Sequence, residues 1–186
     1  MSWVPQGVSV GGIPIPSRQP LFLATVAVHV VAGLVAVVAG AAAMLSRKAA
    51  GRHPRNGRVY FWALGIVTLT MGGLAIARWP DDNHLAVLGI LAFVTAFVGR
   101  RARRLQWPRW PLVHIPGMGV SYVLMLTAFY VDNGPHLPGW RLLPPLAFWL
   151  IPAAIGVPLI VYATRKYRSA DERPVAGDVG SGPSRS

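Results

Sequence analysis

The chain reads as an all-α integral membrane helical bundle of five transmembrane helices, N-terminus outside and C-terminus cytoplasmic. Three observations carry that reading. Hydrophobic residues make up 53% of the 186 and charged residues only 13%, about half the share usual in a soluble domain. The apolar residues come in long runs, several of them long enough for the roughly 20 residues that cross ~30 Å of hydrocarbon. The basic residues collect on alternate connections between those runs.

Five runs qualify as spans: 21–45, 59–77, 84–98, 111–131 and 143–163. The first holds His29 as its one strongly polar residue, and a basic cluster follows it. It is too long for the apolar part of a signal peptide and has no basic leader, so it is expected to be retained as a helix. The third is short and is expected to sit nearly upright or to thin the bilayer locally. Pro152 and Pro158 are expected to kink the fifth, because each lacks the donor N–H and crowds the preceding turn. No Asp, Glu, Lys or Arg falls inside any of the five runs. Residues 1–20, with Pro5, Pro14, Pro16 and Pro20, form an extended outer arm before the 21–168 membrane domain. Residues 169–186, rich in Ser, Gly, Pro and charge, form a disordered cytoplasmic tail.

Orientation follows from the charges. Arg47, Lys48, Arg52, Arg55 and Arg58 follow the first span, and Arg100, Arg101, Arg103, Arg104 and Arg109 follow the third. Arg165, Lys166, Arg168, Arg173 and Arg185 follow the fifth, leaving only Arg18, Arg78 and Arg141 on the other side. The positive-inside rule puts the rich side in the cytoplasm. The formal charge of +12 is thereby assigned to topology and to anionic lipid at the cytoplasmic face, and nucleic acid is not an expected partner.

Several chemistries are excluded. No cysteine is present, so disulfides and thiolate sites are absent. There is no HExxH, phosphate-binding glycine loop or G-x-S-x-G elbow, and no pattern assigns an enzymatic reaction. Small-residue stripes predict close helix packing: Gly33, Ala36 and Gly40; Gly65, Thr68, Gly72 and Ala75; Gly89, Ala92, Ala96 and Gly99. A fourth stripe, His114, Gly117, Ser121, Met125 and Ala128, points His114 into the bundle as the first points His29. Such stripes also suit a homo- or hetero-oligomer.

The histidines hold what chemistry there is, since an ionisable side chain in a span is costly to bury. His29 lies toward the outer end of its span, with His84 and His136 on the outer side. His53 is expected in the first cytoplasmic loop, and His114 just inside the fourth span from the same face. Two imidazoles can clamp one haem iron only at one level. That allows an outer pair, His29 with His84, and an inner pair, His53 with His114. The alternative is that each histidine hydrogen-bonds the backbone or a Ser/Thr of a neighbouring helix. Asp81, Asp82 and His84 at the outer mouth read as a polar turn before a metal site.

A set of short motifs then stands in order: His29-Val30-Val31-Ala32-Gly33, Arg52-His53-Pro54-Arg55-Asn56-Gly57-Arg58-Val59-Tyr60, and His114-Ile115-Pro116-Gly117-Met118-Gly119-Val120-Ser121-Tyr122. Thr127-Ala128-Phe129, Gly156, Pro158 and Arg165-Lys166-Tyr167 follow. Together, over 21–168, they resemble the domain-of-unknown-function 2306 family of bacterial multi-pass membrane proteins. The resemblance implies a small membrane protein with no settled activity and singles out His29, Arg52, His53, Gly57, Tyr60, His114, Tyr122 and Thr127. The chain departs from the family at Gly117, where an arginine tends to stand.

The expected function is therefore a multi-pass inner-membrane protein with a polar ligand site at the cytoplasmic face centred on His53 and His114. His29, Arg52, Tyr60 and Tyr122 are its further candidate ligand-binding residues. Arg52 would pair with a negative group and Tyr60 would donate a hydrogen bond. The rival readings are a haem b electron carrier using His29, His84, His53 and His114, a small transporter or transporter subunit, and an accessory protein that only contacts a partner.

Overall fold

The computed structural model describes residues 8–10, 13–15, 20–46, 51–77 and 82–171. Five long helices dominate: α1 (Pro20–Leu45), α2 (Arg52–Ala77), α3 (Asn83–Arg104), α4 (Pro111–Asn133) and α5 (Pro145–Asp171). All five are long and apolar enough to cross a membrane. Ahead of them two three-residue strands, β1 (Val8–Val10) and β2 (Ile13–Ile15), pair antiparallel with Val10 opposite Ile13. Of the expected extended arm, 1–20, only these six residues and Pro20, which opens α1, are described.

The helices outrun the apolar runs that announce them. α2 begins at Arg52, not 59, and α3 runs to Arg104, not 98. Hydropathy marks the part of a helix that suits hydrocarbon, whereas arginine is itself a good helix former and carries the helix on past it. His53 therefore sits in the first turn of α2 and not in a loop. Pro54 is tolerated there, because a first-turn N–H has no helical partner to lose. α5 starts at Pro145, its pre-set φ suiting a first helical residue, and it continues to Asp171. Residues 169–171, assigned to the tail by composition, are thus helical, and the rest of the tail lies outside the described residues. α5 passes as one helix through Pro152 and Pro158, and α4 through Pro116.

α3 stops through hydrogen bonding. The N–H groups of Gln106 and Trp107 return to the carbonyls of Arg103 and Ala102, and Gln106 takes a left-handed φ of 49°. This is a Schellman stop with glutamine where glycine is usual.

Sequential helices pack as antiparallel neighbours, and α1 also touches α4. The core is built from small residues and rings: Ala36 and Ala39 of α1, Tyr60 and Leu64 of α2, Ala92 and Ala96 of α3. Their outer faces carry large apolar side chains such as Leu69, Ile76 and Leu159. An interior of alanine with an exterior of leucine and isoleucine is the reverse of a water-soluble domain and fits helices that meet through small residues.

The glycines show where backbones come closest. A Cβ on Gly117 would lie 2.9 Å from the Thr95 carbonyl and 3.0 Å from the Gly99 Cα. α3 and α4 therefore cross backbone to backbone at Gly99 and Gly117. A side chain at 117 would require this backbone crossing to shift.

Candidate functional site

At the end of the bundle where α2 and α4 begin and α1, α3 and α5 finish, a cavity of about 570 Å³ opens. Its histidines are set by neighbouring helices. The Nδ1–H of His53 donates to the Ala43 carbonyl at 2.8 Å. Ala43 is in the last turn of α1, where carbonyls have no helical donor, so the ring acts as a side-chain cap. The Nδ1–H of His114 donates to the Gly99 carbonyl at 3.0 Å, a contact that the glycine crossing of α3 and α4 brings within reach. The two imidazoles meet edge to face with centroids 6.4 Å apart. A carbonyl only accepts, so each ring carries its proton on Nδ1, and in the neutral ring Nε2 holds the lone pair. Trp110 packs against His114 at 5.7 Å, with the Arg103 guanidinium 5.8 Å from the Trp110 ring.

Two tyrosines floor the cavity. Tyr60 is 2% exposed and its hydroxyl is 2.8 Å from the Ser121 hydroxyl. Ser121 gives its own proton to the Met118 carbonyl at 2.7 Å, so Tyr60 is the donor in the pair. Tyr122 donates to the Val37 carbonyl of α1 at 3.1 Å, and its ring centroid lies 6.0 Å from that of Tyr60. Gly40 makes room for both rings: a Cβ there would stand 2.5 Å from Tyr122 and 3.1 Å from Tyr60.

The rim is cationic. Arg58, Arg100, Arg103 and Arg104 line the cavity, and among the described residues no Asp or Glu does. The last three share one face of α3, since residues three and four apart are neighbours on a helix. The Arg100 guanidinium is held 4.5 Å above the Phe61 ring, a cation–π contact. Met44 and Met118 supply an apolar side to the same space.

The structure thus brings together four of the six residues expected to bind ligand: His53, Tyr60, His114 and Tyr122. The other two lie elsewhere. Arg52 is exposed and off the lining, because one residue before His53 it is turned by about 100° around α2. His29 belongs to the far end, where its Nδ1 is 2.9 Å from the Thr70 hydroxyl. Thr70 directs its proton to the Ile66 and Val67 carbonyls, so the histidine donates. His84 is exposed beside Trp149 of α5 at 5.9 Å, and His136 is exposed in a 3₁₀ turn. The expected outer pair of His29 with His84 is not assembled, since one turns to α2 and the other to α5. Asp81 lies outside the described residues; Asp82 sits at the start of α3, its carbonyl accepting from the Leu85 and Ala86 N–H groups. Among the described residues no three His, Asp or Glu side chains converge as a metal site.

The reading in which each histidine bonds a neighbouring helix holds for His29, His53 and His114 alike. Only the last two also face a shared cavity. The sequence does not single out the arginine rim, because Arg100, Arg103 and Arg104 are already accounted for as a topology signal and an anchor to anionic lipid; their i, i+3, i+4 spacing is the available sign of a common face. No family model, curated protein or solved structure matches this chain.

Proposed function

We propose that the chain is a five-span bacterial inner-membrane protein, N-terminus out and C-terminus in, that binds an anionic ligand in the cavity at its cytoplasmic end. The observation that carries this is the lining: among the described residues, four arginines and no carboxylate around two imidazoles and two phenols. Clustered guanidiniums in a partly enclosed space favour a carboxylate or phosphate group, which they can take in bidentate fashion. The phenols and imidazoles below offer a neutral polar floor for the rest of the ligand. The orientation rests on the arginine-rich connections. We assign the chain to the domain-of-unknown-function 2306 family on the resemblance of its motifs, several of which supply residues of this one cavity.

A second reading has its own observation. Both imidazoles donate Nδ1–H to a backbone carbonyl, the arrangement that fixes the tautomer and orients Nε2 of a metal-ligating histidine. Haem b would then place its iron at His53 and His114 and its propionates at the arginines.

Three measurements test these readings. A C-terminal green fluorescent protein fusion is expected to fluoresce and a C-terminal alkaline phosphatase fusion to be inactive; the reverse result overturns the orientation. The detergent-purified protein is expected to release an anionic small molecule or lipid on denaturation, and an Arg100→Gln/Arg103→Gln variant to release much less. Equal release from both sinks the anion site. Sharp reduced α and Soret bands that vanish in His53→Ala would make haem the occupant.

A further inference from the structure

We propose that the chain carries a site for one anionic phospholipid, with its phosphate on Arg58 at the mouth of the basic cavity and an acyl chain in a groove between α1 and α2. This rests on the anion-site reading above and names its ligand class. A second concavity, of about 730 Å³, runs between the outward faces of α1 and α2. Its walls include Val28, Val31 and Val35 from α1 and Val59, Trp62 and Ile66 from α2, and its one charged residue is Arg58. Arg58 is also the one residue that this groove shares with the basic cavity. From Val59 to Ile66 the groove follows α2 for about 10 Å, at 1.5 Å per residue.

Charge decides the occupant. An apolar groove accepts any acyl chain, but this one ends at Arg58, which also lines a cavity whose described lining holds Arg100, Arg103 and Arg104 and no Asp or Glu. A zwitterionic lipid would bring its own cation into that cluster, where like charges repel. An anionic headgroup brings none. Arg58 can keep its stem along the groove and its guanidinium at the phosphate level. The indole of Trp62, 65% exposed beside it, suits the headgroup boundary. A general attraction of basic residues to anionic lipid is graded; a groove and a cavity that share Arg58 make a single seat.

The test uses the full chain in detergent, stripped of lipid and titrated with dioleoyl phosphatidylglycerol, dioleoyl phosphatidylcholine or glycerol 3-phosphate, with bound molecules counted by native mass spectrometry. One phosphatidylglycerol per chain is expected to saturate first, about tenfold tighter than phosphatidylcholine, as one charged hydrogen bond would give. Arg58→Gln is expected to bring it to the phosphatidylcholine level. Val31→Trp, at a 61% exposed position, is expected to block the groove and weaken phosphatidylglycerol while leaving glycerol 3-phosphate unchanged. Equal affinity for the two lipids, graded binding that neither substitution alters, or glycerol 3-phosphate binding as tightly as the lipid would each overturn the proposal. Unchanged elution of both variants on size exclusion separates these outcomes from misfolding. Release of a non-lipid anion that depends on Arg100 and Arg103 would leave the anion site standing while the lipid site fails.

Discussion

The two ends of the bundle use the same residue types to different effect. At the end where α2 and α4 begin, His53, His114, Tyr60 and Tyr122 are each bonded to a neighbouring helix and still face one cavity. At the opposite end His29 bonds Thr70, His84 lies on Trp149, and Tyr130 stacks on Trp140 at 4.7 Å. There each of these rings has a partner of its own. A histidine in a membrane helix is thus ambiguous by itself. What separates a site from a packing contact is convergence, and convergence depends on how closely the helices approach.

Glycines control that approach, and they divide in nearly the same way. Gly40, Gly99 and Gly117, around the cavity, each face atoms within 3.4 Å of where a Cβ would stand, whereas Gly33, Gly72, Gly73 and Gly89 face nothing within 4 Å. Gly134, under the Phe148 ring, is an exception at the far end, and Gly57, which lines the cavity but faces nothing within 4 Å, is one at the near end. The largest effect is therefore expected for Gly117→Ala. Its new methyl meets backbone that cannot rotate away, and overpacking of this kind costs about 1–3 kcal/mol. Gly72→Ala should change stability by less than about 1 kcal/mol, and in the stabilising direction, because alanine is the better helix former. Thermal unfolding in detergent, followed by size exclusion with fluorescence detection, reads both. If the two substitutions behave alike, the α3–α4 crossing is looser than described and the cavity loses its frame.

Much of the fold was legible because the bilayer imposes a coarse rule: about 20 apolar residues make a span. That rule located all five helices, which run on past the apolar stretches to Arg52, Arg104 and Asp171, because it measures hydrocarbon and not hydrogen bonding. The small-residue stripes gave the packing faces, with Ala36, Ala92, Ala96 and Ser121 all fully buried. The site was legible in part. His53 and His114 could be paired by depth alone, but Arg58, Arg100, Arg103 and Arg104 were hidden by a second role, since a basic cluster satisfies the topology rule without any ligand. His29 was drawn in by its place in a motif, whereas its partner Thr70 lies 41 residues away, beyond any local pattern.

A smaller effect is expected at the cavity floor. Tyr60→Phe removes the donor to Ser121 and leaves a buried hydroxyl oxygen with one bond fewer, since Ser121 still donates to Met118. Buried hydrogen bonds contribute about 0.5–1.5 kcal/mol, and those between membrane helices average about 0.6. A loss near 0.6–1 kcal/mol with unchanged helical content would place Tyr60 as a packing and floor residue. A neutral result combined with weaker ligand retention would assign its hydroxyl to the ligand instead.

The smallest effect belongs to the far end. His29→Ala removes one donor to Thr70, but the Thr70 hydroxyl keeps its bonds to the Ile66 and Val67 carbonyls of its own helix. No buried group is left unsatisfied, so the expected change is below about 0.6 kcal/mol. His29 is 14 residues from Ala43, the carbonyl that anchors His53, or about 21 Å along α1. Over that distance, with no shared partner, substitutions are expected to be additive. The double variant His29→Ala/His53→Ala should therefore show the sum of the two stability changes, and ligand retention equal to that of His53→Ala alone. Coupling above about 0.5 kcal/mol, or ligand lost from His29→Ala itself, would mean that the two ends act as one unit, as a path through the bundle would require.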